Sequence, residues 1–390
     1  MSTATSARPH AGTPDRSTLA RLTGAKAMAN TALRWIPPFL PTLERAFGVS
    51  TTQLTTVLGL GEAAGLSTLV VGKQLDRGRE RLVMIGGLSA VSLSSVVALG
   101  GSIWTFAIAF TLLILGVANF TVGGHAWISQ RVHYGQRARS IGIFETSWAF
   151  ALLIGGPIVA VLINLWGWRA PFVFMAVGCA VAAIVVALTL PAATPSTEQT
   201  ETPASLAIRL TLPAWLVVIG SATMAMAGLS VFVISGTWLN DEFGVSTGGL
   251  GLIVMGFGAF ELLASGGSAA LADRIGKMRS ALGGLVVLAC GLLVMLSANG
   301  RLVVGVIGIL MLLIGFEYGF VTTLSLVSEA MPEARGSTLA VGNAVGTLAR
   351  GSGVILSGWL YGIHGIAGSA ALSATAAVAA ATCFILSRQV

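Results

Sequence analysis

Long apolar stretches with almost no charged residues recur along the whole of this 390-residue chain. Each stretch is close to the roughly 20 residues that a helix needs to cross the hydrocarbon core of a bilayer. Only 9% of the residues are charged, against roughly 25% in a soluble domain, so the chain cannot cover a water-facing surface. The sequence therefore predicts an all-α integral membrane protein.

We predict twelve membrane-spanning helices and number them as spans 1 to 12. They cover residues 19–42, 51–71, 82–101, 103–128, 139–164, 170–191, 213–239, 247–269, 279–298, 302–327, 337–362 and 366–387. The segment 192–212 is polar and rich in proline, which is typical of a linker. The expected organisation is a disordered tail (1–18), an N-terminal six-helix bundle (19–191), the linker and a C-terminal six-helix bundle (213–390).

The positions of the Lys and Arg residues orient the chain. Most of the 22 lie in the tail, the linker and the alternate connections that an inside N-terminus places in the cytoplasm. We therefore expect a multi-pass protein of a bacterial-type cytoplasmic (inner) membrane, with both termini cytoplasmic and no nucleic-acid partner. Cys179, Cys290 and Cys383 lie far apart in apolar stretches, so we expect neither a disulfide framework nor a metal site.

Two segments of the chain repeat each other. Residues 47–51 read Phe-Gly-Val-Ser-Thr, and so do residues 243–247, and further matches continue almost in register. One of these matches pairs Asp76-Arg77 after span 2 with Asp273-Arg274 after span 8. The repeat predicts two parallel halves of six helices.

The loops that contain these Asp-Arg pairs resemble the signature loop of the major facilitator superfamily. The first loop reads Gly72-Lys-Gln-Leu-Asp76-Arg77-Gly78-Arg79-Glu80-Arg81, where Arg79 and Glu80 depart from the usual pattern. The second loop, 271–279, lacks the leading glycine. The resemblance extends from about residue 19 to 387 and implies two pseudo-symmetric six-helix bundles, alternating access and a monomer in membrane lipid. It also implies a small-molecule substrate and no cofactor besides a proton gradient.

The same resemblance implies a cytoplasmic gate. In that family the aspartate of the first loop docks near the start of helix 11 in the outward-facing state, which here places Asp76 near Ser337. An aspartate at a helix N-terminus is favoured by roughly 0.3–1 kcal/mol. The predicted gate residues are Asp76, Arg77, Arg139, Asp273, Arg274 and Arg335. The alternative is that both loops are solvated basic turns that only fix the topology.

We single out six ionisable residues within predicted spans, where an unpaired charge costs several kcal/mol. They are Arg34, Glu62, Glu145, Glu261, Glu317 and Arg350. We expect the four glutamates to take part in proton coupling. Glu62 is expected to pair with Arg34 or Arg350.

The superfamily's fold sets spans 5 and 8 face to face, which would bring Glu145 close to Glu261. Two close carboxylates cannot both stay ionised, so one would hold a proton. Alternatively, Glu145 neutralises Arg137 or Arg139. Candidates for substrate binding are polar or aromatic residues on the helices that would line the cavity: Asn30, Arg34, Asn119, Trp148, Tyr318, Asn343 and Arg350.

The predicted function is secondary active transport by alternating access. The first interpretation is proton-coupled efflux of a small organic molecule, because Gly155-Gly156-Pro157 weakly resembles a motif of the superfamily's proton antiporters. The alternative is proton-coupled uptake of an organic anion, suggested by Arg34 and Arg350 at matching depth. Primary active transport is disfavoured, because the sequence has no phosphate-binding loop. We do not expect an enzyme, because the sequence has no nucleophile–base set and no Cys/His cluster. A channel is disfavoured by the two-fold repeat.

Overall fold

The computed structural model describes residues 16–190 and 210–389, and the regular structure within them is helical. The helices of the first six spans are Arg16–Arg34 and Leu40–Phe47 (span 1), Thr51–Glu62 and Thr68–Asp76 (span 2), Glu80–Ala98 (span 3), Ile103–Arg131 (span 4), Tyr134–Glu145, Ser147–Leu153 and Gly155–Trp166 (span 5) and Arg169–Thr189 (span 6). Those of the last six are Leu212–Phe243 (span 7), Thr247–Ile275 (span 8), Lys277–Leu296 (span 9), Leu302–Glu329 (span 10), Arg335–His364 (span 11) and Ile366–Leu386 (span 12).

In this described part of the chain, eleven helices are long and apolar enough to cross a membrane. Of the twelve predicted spans, span 1 is the one that is missing from these eleven. It falls short by these criteria because its first helix carries four basic residues and ends at Arg34, just before Pro37 and Pro38. Several helices continue past their predicted ends, for example span 8 to Ile275 instead of 269. The prediction stopped where polar residues begin, whereas the backbone hydrogen bonds continue. Most of the predicted tail and linker lies outside the described residues.

The sequence repeat forms the same turn twice. Each copy ends a helix at its phenylalanine, and the following Gly48 or Gly244 takes a left-handed φ of 65° or 63°. The serine two residues later then caps the next helix, since Ser50 accepts from Gln53 N and Ser246 from Gly249 N. Glycine is favoured where φ is positive, and serine is favoured as an N-cap. These preferences explain why both copies of the repeat contain the glycine and the serine.

Prolines interrupt the helices of spans 1 and 5. Pro37 and Pro38 lie in a 3-10 turn, Pro37–Phe39, that redirects span 1 after Arg34. In span 5 the helix breaks at Ile154, three residues before Pro157. A proline has no N–H to donate and its ring crowds the carbonyl four residues earlier, so breaks of this kind are expected just before it.

The two halves contact each other mainly through spans 1 and 7, spans 2 and 11, and spans 5 and 8, and to a smaller extent through spans 1 and 8 and spans 2 and 7. A Cβ added to Gly258 of span 8 would lie 2.2 Å from Leu153 N of span 5, and one added to Gly59 of span 2 would lie 2.4 Å from Gly351 O of span 11. Such approaches require glycine, because any larger residue would push the backbones apart.

We call the end of the molecule that carries Arg77, Arg139 and Arg274 the basic end, and the opposite end the far end. The contacts between the halves lie from mid-span to the far end. There Thr237 donates to Glu44 Oε1 (3.0 Å), and Thr52 donates to the carbonyl of Gly358 (3.1 Å). At the basic end, the ion pairs Glu80–Arg131 and Lys277–Glu329 each lie within one half. The halves are therefore closed together at the far end in this conformation.

Candidate substrate and proton site

Arg34 and Glu261 form a buried ion pair between the two halves. Arg34 Nη1 lies 2.6 Å from Glu261 Oε2 and Nη2 lies 2.7 Å from Oε1, a bidentate arrangement. Arg34 Nη1 also donates to the Trp148 carbonyl at 2.9 Å, and the guanidinium lies 4.1 Å from the centre of the Trp148 ring. The two charged side chains are only 4% and 3% exposed. Removing one partner of such a pair costs about 3–5 kcal/mol, because the other charge stays buried and unpaired.

A second pair, Glu62 with Arg350, also joins the halves. Arg350 Nε lies 3.2 Å from Glu62 Oε2, and Arg350 Nη2 donates to Thr347 Oγ1 at 3.1 Å. Of the two partners that the sequence left open for Glu62, the structure brings Arg350 to it. This pair is 18% and 26% exposed, so water screens it more than the Arg34 pair.

The two pairs lie at equivalent levels in the bundle. Glu261 comes three residues after Gly258, and Glu62 comes three residues after Gly59, so each acid lies about one turn to the basic side of a tight glycine contact. The tight contacts between the halves therefore lie next to both ion pairs, on the side of the far end. A ligand that enters from the basic end would meet these charges where the halves close together.

A third group of charges lies within the first half. Lys26 Nζ and His125 Nε2 both contact Glu145 Oε1, each at 2.5 Å. Lys26 is 2% exposed, whereas Glu145 and His125 are 43% and 39% exposed. The Lys26 ammonium also lies 4.3 Å from the centre of the Phe144 ring. Glu145 is thus held by a buried cation on one side and faces open space on the other.

The expected contact between Glu145 and Glu261 is not what the structure forms. Each glutamate instead has a basic partner, because span 1 presents Lys26 to one and Arg34 to the other. Glu317 of span 10 is 7% exposed, and Ser265 Oγ, one turn after Glu261 on span 8, donates to its Oε1 at 2.6 Å. The three carboxylates therefore have different partners.

The other predicted substrate residues have separate surroundings. Asn30 donates to Ser147 Oγ at 3.2 Å, and Asn119 donates to Ser67 Oγ at 3.2 Å, and both side chains are buried. Asn343 is exposed. Tyr318 points away from Glu317, because its hydroxyl donates to Ser280 of span 9 beside a cavity of about 260 Å³ that Arg279 also lines. The structure thus brings Arg34, Trp148 and Asn30 together but separates Tyr318 from them.

No hydrogen bond or ion pair joins the gate residues whose side chains the structure describes. Asp76, Arg77, Arg139 and Arg274 are exposed at the basic end. The side chains of Asp273 and Arg335 lie outside the described residues. The predicted gate belongs to the state that is closed at the basic end, so it stays a prediction here.

Sequence reasoning missed Lys26 and His125 as site residues. Lys26 is one of the Lys and Arg residues that orient the chain, and His125 lies near the basic end of span 4. A signal was present, since Lys26, Asn30 and Arg34 follow at intervals of four and so lie along one side of a helix. In the structure this stripe faces span 5, where its members contact Glu145, Ser147 and Trp148.

The sequence pattern of the Major Facilitator Superfamily matches residues 22–354, which is most of the chain. The chain belongs to this superfamily. Members are secondary transporters, and the two-bundle fold seen here is theirs. Similarity to solved structures agrees: a bacterial homolog of the human lysosomal transporter Spinster, in an inward-facing, unoccupied conformation, has a TM-score of 0.75 at 15% identity and covers 98% of this chain and 96% of its own. A D-xylose–proton symporter has a TM-score of 0.73 at 17% identity, covering 93% and 96%.

Two curated relatives in the superfamily are similar over shorter stretches. An MFS-type transporter of Bacillus subtilis (strain 168), YwfA, is 27% identical over 262 residues, which is 63% of this chain and 62% of the relative. A protein of Escherichia coli (strain K12) named "Probable L-galactonate transporter" is 27% identical over 141 residues, 35% of this chain and 30% of the relative. The alignments thus span less than two thirds of either relative.

Proposed function

We propose that this transporter carries a small organic anion together with a proton, moving both inward by alternating access. The observation that supports this most is the Arg34–Glu261 pair at the closed interface of the two halves. A bidentate guanidinium is suited to a carboxylate, and here a protein carboxylate occupies it. The relative named "Probable L-galactonate transporter" is consistent with the same class of ligand, because galactonate is a carboxylate.

Coupling follows from competition for Arg34. While Glu261 is ionised, it fills the guanidinium, and a second carboxylate would also be repelled by it. A proton on Glu261 removes that charge and releases the guanidinium for the substrate. Anion and proton therefore bind together, and after both leave, the ion pair re-forms and neutralises the buried charges.

Direction follows from orientation. The Lys and Arg distribution favours a cytoplasmic basic end, and with that orientation the conformation is open to the inside. A proton gradient directed into a bacterial cell would then drive anion uptake. We expect both termini to be cytoplasmic and the protein to function as a monomer in the inner membrane, without a cofactor.

Proton-coupled efflux, the first interpretation of the sequence, has less support from the geometry. Gly155 and Gly156 were its main evidence, and both have packing roles: a Cβ on Gly155 would meet Thr31 at 2.4 Å, and one on Gly156 would meet Val254 at 2.5 Å. The nearby Pro157 explains the helix break. The segment is thus accounted for without antiport.

The test is transport by purified protein in liposomes that enclose a pH-sensitive dye. Organic anions, beginning with L-galactonate and other sugar acids, are compared with lipophilic cations under an imposed proton gradient. The proposal expects an anion to move with protons in the same direction, and Arg34→Gln to abolish that movement. The matched control is Arg301→Gln, an exposed arginine between spans 9 and 10. Protons that move against a cation would instead support efflux and overturn uptake.

A further inference from the structure

A cavity of about 260 Å³ lies between spans 9 and 10, away from the ion pairs that join the two halves. A water molecule in the liquid takes up roughly 30 Å³, so this cavity has room for a much larger ligand. Span 9 packs mainly against spans 8, 10 and 12, all of its own half, and therefore lies on the outer side of the bundle. Neither the proposed substrate site nor the main contacts between the halves use this cavity.

The cavity opens towards the surrounding membrane. Arg279, Gly283 and Val287 follow at intervals of four along span 9, so they lie on one side of the helix, and all three are exposed. On the same side, Val286 and Leu293 are 62% and 70% exposed, as expected of side chains that face lipid. Eight residues separate Arg279 from Val287, which is a rise of about 12 Å. The cavity is therefore a groove that runs from the basic end towards the middle of span 9.

Glycines make room for this groove. A Cβ added to Gly284 would lie 2.5 Å from Gly315 O, so spans 9 and 10 approach closely at its floor. Gly283, one residue earlier, has open space where a side chain would project. Val287 and Ile314 line the groove with apolar groups. A narrow apolar groove that faces the membrane is suited to an acyl chain, because the chain fills space that would otherwise lack packing contacts.

The polar side chains that line the groove lie at its basic end. Arg279 lies in the first turn of the span 9 helix, and the Tyr318 hydroxyl donates to Ser280 Oγ beside it at 3.2 Å. No acid in the described part of the chain pairs with Arg279, whereas the neighbouring Lys277 is paired with Glu329. An exposed guanidinium and the start of a helix both favour an anion such as a phosphate. The groove thus combines an apolar interior with a positive mouth.

The first half has the same glycine contact without the charge. Span 3 carries Gly86-Gly87 where span 9 carries Gly283-Gly284 in the sequence repeat. A Cβ added to Gly87 would lie 2.7 Å from Gly116 O, so spans 3 and 4 approach each other in the same way. Four residues before its glycine pair, span 3 has the exposed Leu82, whereas span 9 has Arg279. Close packing of the two helices therefore does not require an arginine at this position.

We propose that the groove between spans 9 and 10 binds one phospholipid with an anionic headgroup. Its phosphate contacts Arg279, and one acyl chain lies along Gly283 and Val287. A long arginine side chain near a helix end reaches the headgroup level, and basic pockets between membrane helices bind anionic headgroups. A zwitterionic lipid would fill the apolar part equally well, but it would bring no net negative charge to Arg279. The site is independent of the substrate that the transporter carries.

Native mass spectrometry of the full-length protein tests the headgroup without any transport substrate. The protein is equilibrated in micelles with equal amounts of phosphatidylglycerol and phosphatidylcholine that have the same acyl chains, and the retained lipids are compared. The wild type should prefer phosphatidylglycerol, and Arg279→Gln should reduce that preference about fivefold, which corresponds to the roughly 1 kcal/mol of one basic residue near an anionic surface. The matched control, Arg301→Gln, changes an exposed arginine at the far end of the same two spans and should keep the preference. An unchanged preference in Arg279→Gln would overturn the proposal.

A second pair of variants tests the acyl chain. Gly283→Leu fills the groove, so retention of phosphatidylglycerol should fall about tenfold or more, since even two buried methylene groups contribute that much to binding. Gly86→Leu, at the matching position of span 3, should leave retention unchanged. Both glycines have open space for a side chain, so neither change should disturb folding. If Gly283→Leu retains the lipid, or if glycerol phosphate displaces it from the wild type, Arg279 binds only a phosphate at the surface and the proposal is wrong.

Discussion

Replacing Glu261 by Gln is the most direct test of how the proton and the anion are coupled. Glutamine keeps the shape of the side chain but cannot carry the negative charge that now occupies Arg34 through contacts of 2.6 and 2.7 Å. The variant therefore resembles the protonated state permanently. If the reasoning is correct, Arg34 becomes available to a carboxylate ligand at every pH, and anion transport is no longer coupled to proton movement.

The expected pH dependence of anion binding follows from the number of glutamates that must release Arg34 before the anion binds. One glutamate occupies the guanidinium, so binding of one anion requires one proton. Above the pH at which Glu261 loses its proton, the wild-type dissociation constant should rise about tenfold per pH unit, which is about 1.4 kcal/mol per unit. Affinity thus falls as pH rises in the wild type and stays nearly constant in Glu261→Gln. Two pH units above the transition, the variant should bind about 100-fold more tightly than the wild type.

The assay is equilibrium binding of radiolabelled L-galactonate to purified protein over a pH series, followed by driven accumulation in liposomes. Glu261→Gln should bind but not accumulate the anion against its gradient. Glu333→Gln, which changes an exposed glutamate between spans 10 and 11, serves as the matched control and should keep the wild-type slope. If Glu261→Gln also loses affinity tenfold per pH unit, Glu261 is not the group whose proton frees Arg34, and the competition argument is wrong.

Three further predictions address the interface between the halves. Gly258→Val should reduce transport at least tenfold, because its Cβ would lie 2.2 Å from Leu153 N. Gly256→Val should not reduce transport, because a Cβ there would have open space around it. Equal losses of transport in both variants would contradict the packing argument. Arg350→Gln should weaken transport only about two- to fivefold, because its pair with Glu62 is partly exposed; a complete loss would show that Arg350 itself binds the anion. In a variant with Cys179, Cys290 and Cys383 replaced by alanine, the pair Thr52→Cys and Gly362→Cys should form a disulfide on oxidation, because a Cβ at 362 lies 3.0 Å from Thr52 Oγ1. The disulfide should stop transport until a reductant is added. Transport by each single cysteine variant should not respond to oxidation.

The fold could be predicted because its evidence is redundant along the chain. Twelve apolar segments, a repeat in register and the two Asp-Arg loops each indicate the same architecture, so an error of a few residues in any span does not change the predicted fold. The turn at Phe47-Gly48 shows why such features can be predicted: its glycine and serine have local conformational preferences that act in the same way wherever the sequence occurs. Local chemistry of this kind is visible in the sequence.

The partners of the charged side chains could not be predicted in the same way. Consecutive residues of a helix point about 100° apart, so a small error in rotation exchanges one neighbour for another. Glu317 and Tyr318 illustrate this, since the first faces Ser265 of span 8 and the second Ser280 of span 9. For Glu145, span 5 was predicted to begin at residue 139, but its helix begins at Tyr134. The pairing with Lys26 depends on such details of packing.

Span 1 connects the two charged regions physically. Its stripe of Lys26, Asn30 and Arg34 packs against span 5, while Arg34 also reaches Glu261, and Pro38 beyond it lies against Gly236 of span 7. In the proposed cycle, a proton on Glu261 releases span 1 from span 8 at the level of Arg34 and leaves Lys26 bound to Glu145. Span 1 would then lose its ion pair with the other half and keep the ion pair within its own half. A proton gained or lost at one buried carboxylate thus changes which half restrains this helix, and that is the kind of contact on which rocking of the halves depends.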